Sequence, residues 1–165
     1  MTILKNEIVG TWRLLSYIEI PVGGQEYLFP MGKNPKGILI FNPDGYMSVQ
    51  ISVKDSIQYT TSDRFAESDE TVAARAKQYI AFTGKYTVDN MLAQVSYHIE
   101  TSLNPSLEGL EQLRKLDFEG DILYQKSLEP ISSNGQMVHA YMTWQKITKH
   151  SLQEDRSEQD LLQAH

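Results

Sequence analysis

Apolar residues recur at every second position through most of the chain, the period of strands that bury one face. Residues 10–20 carry Trp12, Leu14, Ile18 and Ile20 in this rhythm, and Pro21 ends the run. Residues 37–41 form an apolar run, closed by Asn42-Pro43-Asp44-Gly45. That tetrapeptide predicts a tight hairpin turn, because proline pre-sets one backbone angle and glycine accepts the left-handed one. Residues 46–53 then alternate, with Met47, Val49, Ile51 and Val53 on one face and Tyr46, Ser48, Gln50 and Ser52 on the other. Further strands are predicted at 83–88, 91–103, 109–118, 122–128 and 137–147, separated by Asp89-Asn90, Asn104-Pro105, Glu119-Gly120-Asp121 and Ser132-Ser133-Asn134-Gly135. One helix interrupts them. Ser68-Asp69-Glu70 supplies a cap and two acids for its positive end, and Val72, Ala76, Tyr79 and Ile80 give it a modest apolar face reaching to about Phe82.

The pattern predicts an all-β fold: an antiparallel up-and-down β-barrel of about eight strands, with the helix between the third and fourth. An open sandwich is the rival arrangement. Residues 1–147 would form the barrel domain. Residues 148–165 would be a polar C-terminal tail, frayed or weakly helical, with Ser151 and Glu154 as a capping box. At 165 residues the chain suits one domain that buries its own core.

Composition narrows the function. There is no cysteine, which removes disulfides, thiolate nucleophiles and cysteine-ligated metals. A net charge of -6 disfavours nucleic acid and anionic membrane as partners. No apolar run has the length of a membrane span or a signal-peptide core, so a soluble, cytoplasmic protein is expected. No glycine-rich phosphate loop or nucleophile elbow is present, and His98, His139, His150 and His165 form no spaced metal pair. No cofactor and no metal are expected.

Candidate chemistry gathers on two strands. In 91–103, Met91, Ala93, Val95, Tyr97 and Ile99 share one face, and Gln94, Ser96, His98, Glu100 and Ser102 the other. Either the apolar face points inward and His98 meets water, or His98 turns inward with Glu100 beside it as a proton shuttle. In 109–118, Arg114 and Gln112 share a face with Leu110, Leu116 and Phe118, so Arg114 is expected to enter the barrel, where a buried guanidinium needs an anion or aromatic partner. The loop 22–35 carries Tyr27, Leu28, Phe29 and Met31, apolar residues suited to a lid or a partner contact.

Gly10-Thr11-Trp12 is similar to the opening signature of lipocalins, in which the tryptophan plugs one barrel end. Four segments sharpen the match: Asn34-Pro35-Lys36-Gly37, Asp44-Gly45-Tyr46-Met47, the Gly84, Tyr86, Val88, Asp89 spacing, and the run from His98 to Pro105 with Gly109 and Arg114 beyond it. Together they resemble the small lipocalin-like domain family of bacteria and fungi, from about Glu7 to Ile147. The resemblance implies a closed barrel with an internal cavity, though no single activity. It strengthens the inward option for His98, and it offers a structural role for Arg114, packed over Trp12 to seal the barrel. The chain departs from secreted lipocalins in having no cysteine for a disulfide and in a helix that precedes the fourth strand, and no export signal is expected.

Two functions are expected. One is a cofactor-free isomerase, cyclase or lyase of a mainly apolar metabolite in secondary-metabolite biosynthesis; such reactions need a dry cavity and one or two proton-transfer or oxyanion groups. In it His98 is the general acid or base, Glu100 its orienting neighbour, and Arg114 or Tyr46 the carbonyl polariser. The other is a non-catalytic carrier or sensor of a lipophilic metabolite. Either would use Tyr46, Ser48, Gln50, Tyr79, Tyr86, Ser102, Gln112, Trp144, Phe29 and Met31 as substrate contacts. The partner is a lipophilic small molecule, with a homodimer possible. A third reading is a filled barrel whose loop binds a protein.

Overall fold

The computed structural model describes residues 3–164. After a short helix α1 (Ile3–Ile8) come strands β1 (Gly10–Pro21), β2 (Lys36–Phe41) and β3 (Tyr46–Ser52), helix α2 (Asp69–Lys77), and strands β4 (Tyr79–Asp89), β5 (Gln94–Ser102), β6 (Glu111–Glu119), β7 (Ile122–Ser127), β8 (Ile131–Ser133) and β9 (Gln136–Lys146). Helix α3 (Lys149–Gln163) follows. All pairings are antiparallel; from β1 to β7 they join sequence neighbours, β7 then pairs with β9, and β9 returns to pair with β1. Strands β1 to β7 and β9 therefore close an eight-strand barrel. The short β8 continues the line of β7 past Glu129-Pro130 and pairs with the far end of β9. The rival sandwich is excluded by the β1–β9 closure.

Inward alternation builds the core. Trp12, Leu39, Phe41, Met47, Val95, Ile99, Leu123 and Trp144 are almost fully buried. One end is sealed by α1: Ile8 is buried, and Trp12 Nε1 donates to the Ile8 carbonyl at 2.8 Å. The cation over the Trp12 ring is Lys146, its Nζ 5.3 Å from the ring centroid, so the sealing role expected of Arg114 belongs to Lys146. At the other end, the loop after β1 folds Met31 into the core, and Leu28 exchanges two backbone hydrogen bonds with Glu19.

Helix α2 starts as expected, with Ser68 Oγ accepting from Thr71 N. It stops at Lys77, and residues 79–82, expected to be helical, pair with β3 instead. Ile80 and Phe82 satisfy a two-residue period as well as a helical one, and the ladder to β3 decides between them. The tail forms α3, tied to the barrel by an Arg13–Asp155 ion pair of 2.7 Å.

Two bulges set which side chains enter the barrel. In β1, Leu14 faces Trp144 and Tyr17 faces Met142, which leaves one extra residue between them. The extra residue inverts the alternation that follows, so Tyr17 and Glu19 point inward in place of Ile18 and Ile20. In β5 the extra residue is Glu100, between Ile99 paired with Gly84 and Thr101 paired with Thr83.

Candidate functional site

The barrel interior holds two charged side chains that have no ionic partner. Arg114 is 7% exposed and Glu19 is 4% exposed. The single ion pair among the described residues is the surface pair Arg13–Asp155. Burying a charge is costly unless it is well hydrogen-bonded, and both groups are. Arg114 donates to Gln112 Oε1 at 2.6 Å and to the Leu113 carbonyl at 3.2 Å, and its guanidinium lies 5.9 Å from the Tyr97 ring centroid. Glu19 accepts from Tyr17 Oη at 2.9 Å and from Ser133 Oγ at 2.6 Å.

Register places the two charges on one tier. Arg114 pairs with Ser127, Ser127 Oγ accepts from the Ala140 amide at 2.8 Å, and Ala140 pairs with Glu19. Four strands thus contribute arginine, serine, alanine and glutamate along one row of the wall. The charged residues stand three strand spacings apart, about 14 Å of wall at roughly 4.8 Å each. Between them the wall carries the small side chains Ser127 and Ala140, both buried. A polar chain lines the adjacent tier: Trp144 Nε1 donates to Gln125 Oε1 at 3.0 Å, and Gln125 Nε2 donates to Tyr97 Oη at 2.7 Å.

Burial governs the electrostatics. It pushes the Tyr97 phenol up to about 12, against the opposing pull of Arg114 and the Gln125 hydrogen bond. It raises Tyr17 further, helped by the Glu19 charge and hydrogen bond and opposed by Arg114. Burial also lowers Arg114, while Tyr97 and Tyr17 partly offset that effect. A guanidinium stays charged through such changes, so the lumen presents a fixed cation beside neutral phenols.

Several expected site residues lie elsewhere. His98 and Glu100 are exposed on the outer face of β5, because Val95, Tyr97 and Ile99 take the inward positions. The inward shuttle expected of that pair is corrected by this placement. His98→Ala should therefore leave both ligand affinity and the urea unfolding midpoint unchanged, within about 0.5 kcal/mol. A larger loss in either measurement would contradict the outward placement. Tyr46 is also external, with Lys85 Nζ 5.8 Å from its ring centroid, so it polarises nothing in the lumen. Ser48, Gln50 and Tyr79 do converge, in an outer groove of about 430 Å³ between α2 and strands β2 to β4. There Tyr79 Oη donates to Gln50, and Tyr79 is a β4 residue, not a helical one. Phe29 is exposed, with Lys33 Nζ 5.6 Å from its ring centroid. Ser102 shares the face of its partner Phe82 and donates to the Ala81 carbonyl at 3.3 Å.

Arg114, Gln112, Trp144, Tyr86 and Met31 do belong to the interior side of the barrel. Tyr86 is committed to the sealed end, its hydroxyl donating to the Asn42 carbonyl at 2.6 Å and its ring 4.9 Å from Phe41. Further ring contacts join Phe41 and Phe82 to Tyr97, so the lumen is densely furnished with aromatics. The larger of the two described grooves, about 690 Å³ around Asp89 and Met91, also lies outside it. Tyr17 and Glu19 were absent from the expected set. Their one signal in the sequence is Ser16, a polar residue where unbroken alternation from Trp12 and Leu14 would place an apolar one.

A closed, up-and-down antiparallel barrel, plugged by a tryptophan at one end and lined with a few polar groups among apolar walls, defines a lipocalin-type protein. The Lipocalin-like domain profile matches residues 9–147, and the chain belongs to that family. It is similar to the 4'-hydroxy-3'-methoxypropiophenone carrier protein ppsC of Aspergillus oryzae, with 27% identity over 109 residues, covering 62% of this chain and 98% of that protein. No helix among the described residues is long and apolar enough to cross a membrane.

Proposed function

We propose that this protein binds a small, mainly apolar molecule in the barrel lumen, anchoring an oxygen of that molecule on Arg114, and acts as its carrier. The observation that carries the reading is Arg114 itself, a buried guanidinium facing the lumen without a carboxylate partner. Proteins hold such a cation where an outside acceptor can complete it. The similarity to a carrier of an aryl ketone supports the same reading. Access requires the loop after β1 to lift, withdrawing Met31 and opening the Glu19–Leu28 backbone pair. Met31 and Met142 are adaptable enough to make room.

The Tyr17–Glu19 hydrogen bond favours a second reading, a cofactor-free isomerase, cyclase or lyase. A carboxylate and a phenol near a fixed cation are the components of proton transfer next to a stabilised oxyanion. In this reading Glu19 and Tyr17 take the roles first expected of Glu100 and His98.

Calorimetric titration with 4'-hydroxy-3'-methoxypropiophenone tests the binding. Arg114→Met should weaken it roughly 10- to 100-fold, the usual worth of a hydrogen bond to a charged group. Equal affinity for both proteins would refute the anchor. Analysis of the recovered ligand by NMR separates the readings: unchanged ligand is the carrier result, and a product that Glu19→Gln abolishes is the enzyme result.

A further inference from the structure

We infer that the ligand is polar at both ends, an acceptor oxygen resting on Arg114 and a hydroxyl donated to Glu19. This rests on the lumenal binding read above and adds to it the class of molecule and a specificity-determining residue. Glu19 is buried under the loop after β1 and the β8–β9 hairpin, yet no cation reaches it. Its two oxygens each accept one hydrogen bond, from Tyr17 and from Ser133, while a carboxylate has about four acceptor positions. Arg114 has five donor hydrogens, and the bonds to Gln112 at 2.6 Å and to the Leu113 carbonyl at 3.2 Å engage one on each terminal nitrogen. Both groups thus retain capacity of opposite kinds.

The register sets that capacity along one row of the inner wall. Arginine and glutamate stand at the ends of a wall segment made of Ser127 and Ala140, on one row of the sheet, and both are buried on its inner side. A wholly apolar guest would strip water from both charges and return nothing. A guest with a carbonyl or similar acceptor alone would complete Arg114 and leave Glu19 desolvated. A hydroxyl at the far end of a short rigid body satisfies both. A site built to accept a hydroxyl rejects the analogue that lacks it, because the protein group is then left unpaired. An aromatic ring between the two polar ends would meet Met142, Tyr97 and Trp144. The class that fits is therefore a hydroxyaryl or hydroxyalkyl carbonyl compound, and Glu19 reads its hydroxyl.

Three probes test this by calorimetry: 4'-hydroxypropiophenone, 4'-methoxypropiophenone, which lacks the donor, and 4-propylphenol, which lacks the acceptor. The wild-type protein should prefer the first over the second by roughly tenfold. In Glu19→Gln, which keeps one acceptor oxygen for Tyr17 or Ser133 and offers the other hydroxyl an NH2 donor to accept from, that preference should fall at least threefold, while affinity for the methyl ether stays unchanged and thermal unfolding confirms the fold. Arg114→Met should weaken the two ketones and leave 4-propylphenol unaffected. If the hydroxyl preference is missing, or survives in Glu19→Gln, the two-ended ligand is overturned while the Arg114 anchor stands. If Glu19→Gln instead tightens the phenol, the ligand is bound as a phenolate on Arg114 and the inference also falls. Loss of the Arg114 effect alone overturns the lumenal anchor. No binding of any probe to wild-type protein at millimolar concentration rejects the ligand class.

Discussion

Gly84→Ala is expected to lower the stability of this protein by about 3 kcal/mol or more, enough to leave it poorly folded. A β-carbon at Gly84 would lie 1.9 Å from the His98 carbonyl oxygen, 2.9 Å from the His98 carbonyl carbon and 3.0 Å from the Glu100 amide nitrogen. All three are backbone atoms, so no side-chain rotation relieves the overlap. The crowding comes from the bulge: Glu100 is inserted opposite the Thr83–Gly84 step, and the displaced backbone closes on β4. The bulge also keeps Phe82 inward on β4 while Ile99 and Tyr97 remain inward on β5. Removing it to admit alanine would slip one strand by a residue and turn its apolar face to water. Urea and thermal unfolding of the variant provide the measurement. A midpoint equal to wild type would mean that residues 98–100 can move aside at little cost, contrary to their place in a closed wall.

The same rule explains what the sequence disclosed and what it concealed. Strands β3 and β9 were legible because their alternation runs unbroken, β5 because it alternates as far as Ile99, β2 because an apolar run meets a strong turn, and Arg114 was legible because Leu116 and Phe118 fix the inward face of β6. Closure followed from strand number and turn placement. The polar half of the candidate site was hidden by one extra residue in β1. Read without it, Tyr17 and Glu19 fall outside with the solvent-facing set; read with it, they face Met142 and Ala140. Bulges are properties of pairing, and a single strand read alone does not display its partner. His98 shows the converse. A histidine next to a carboxylate is an attractive acid–base pair, but the apolar side of the same strand had Val95, Tyr97 and Ile99 to bury, and burial of three large side chains outweighs any local preference of one imidazole. The boundary between α2 and β4 was ambiguous for a related reason, since Ile80 and Phe82 fit both periods until β3 is present.

Arg114→Met should make the unliganded protein more stable, by about 1–3 kcal/mol, even as it loses affinity. In the folded state Arg114 gives up its hydration and receives two hydrogen bonds and one aromatic face, with no carboxylate to offset the desolvation. Methionine has a comparable reach, fills the space beside Leu116 and Tyr97, and has no charge to bury. The residue left behind is Gln112, whose amide is half-buried and can turn toward water, so the substitution does not strand a buried acceptor. For a chain of this length the gain corresponds to a rise in Tm of roughly 2–10 °C. A stabilised variant with weakened binding is the signature of a side chain retained for its ligand. Should Arg114→Met instead destabilise the fold, the guanidinium belongs to the architecture of the lumen through Gln112, Leu113 and Tyr97, and the ligand's oxygen must be anchored by another donor.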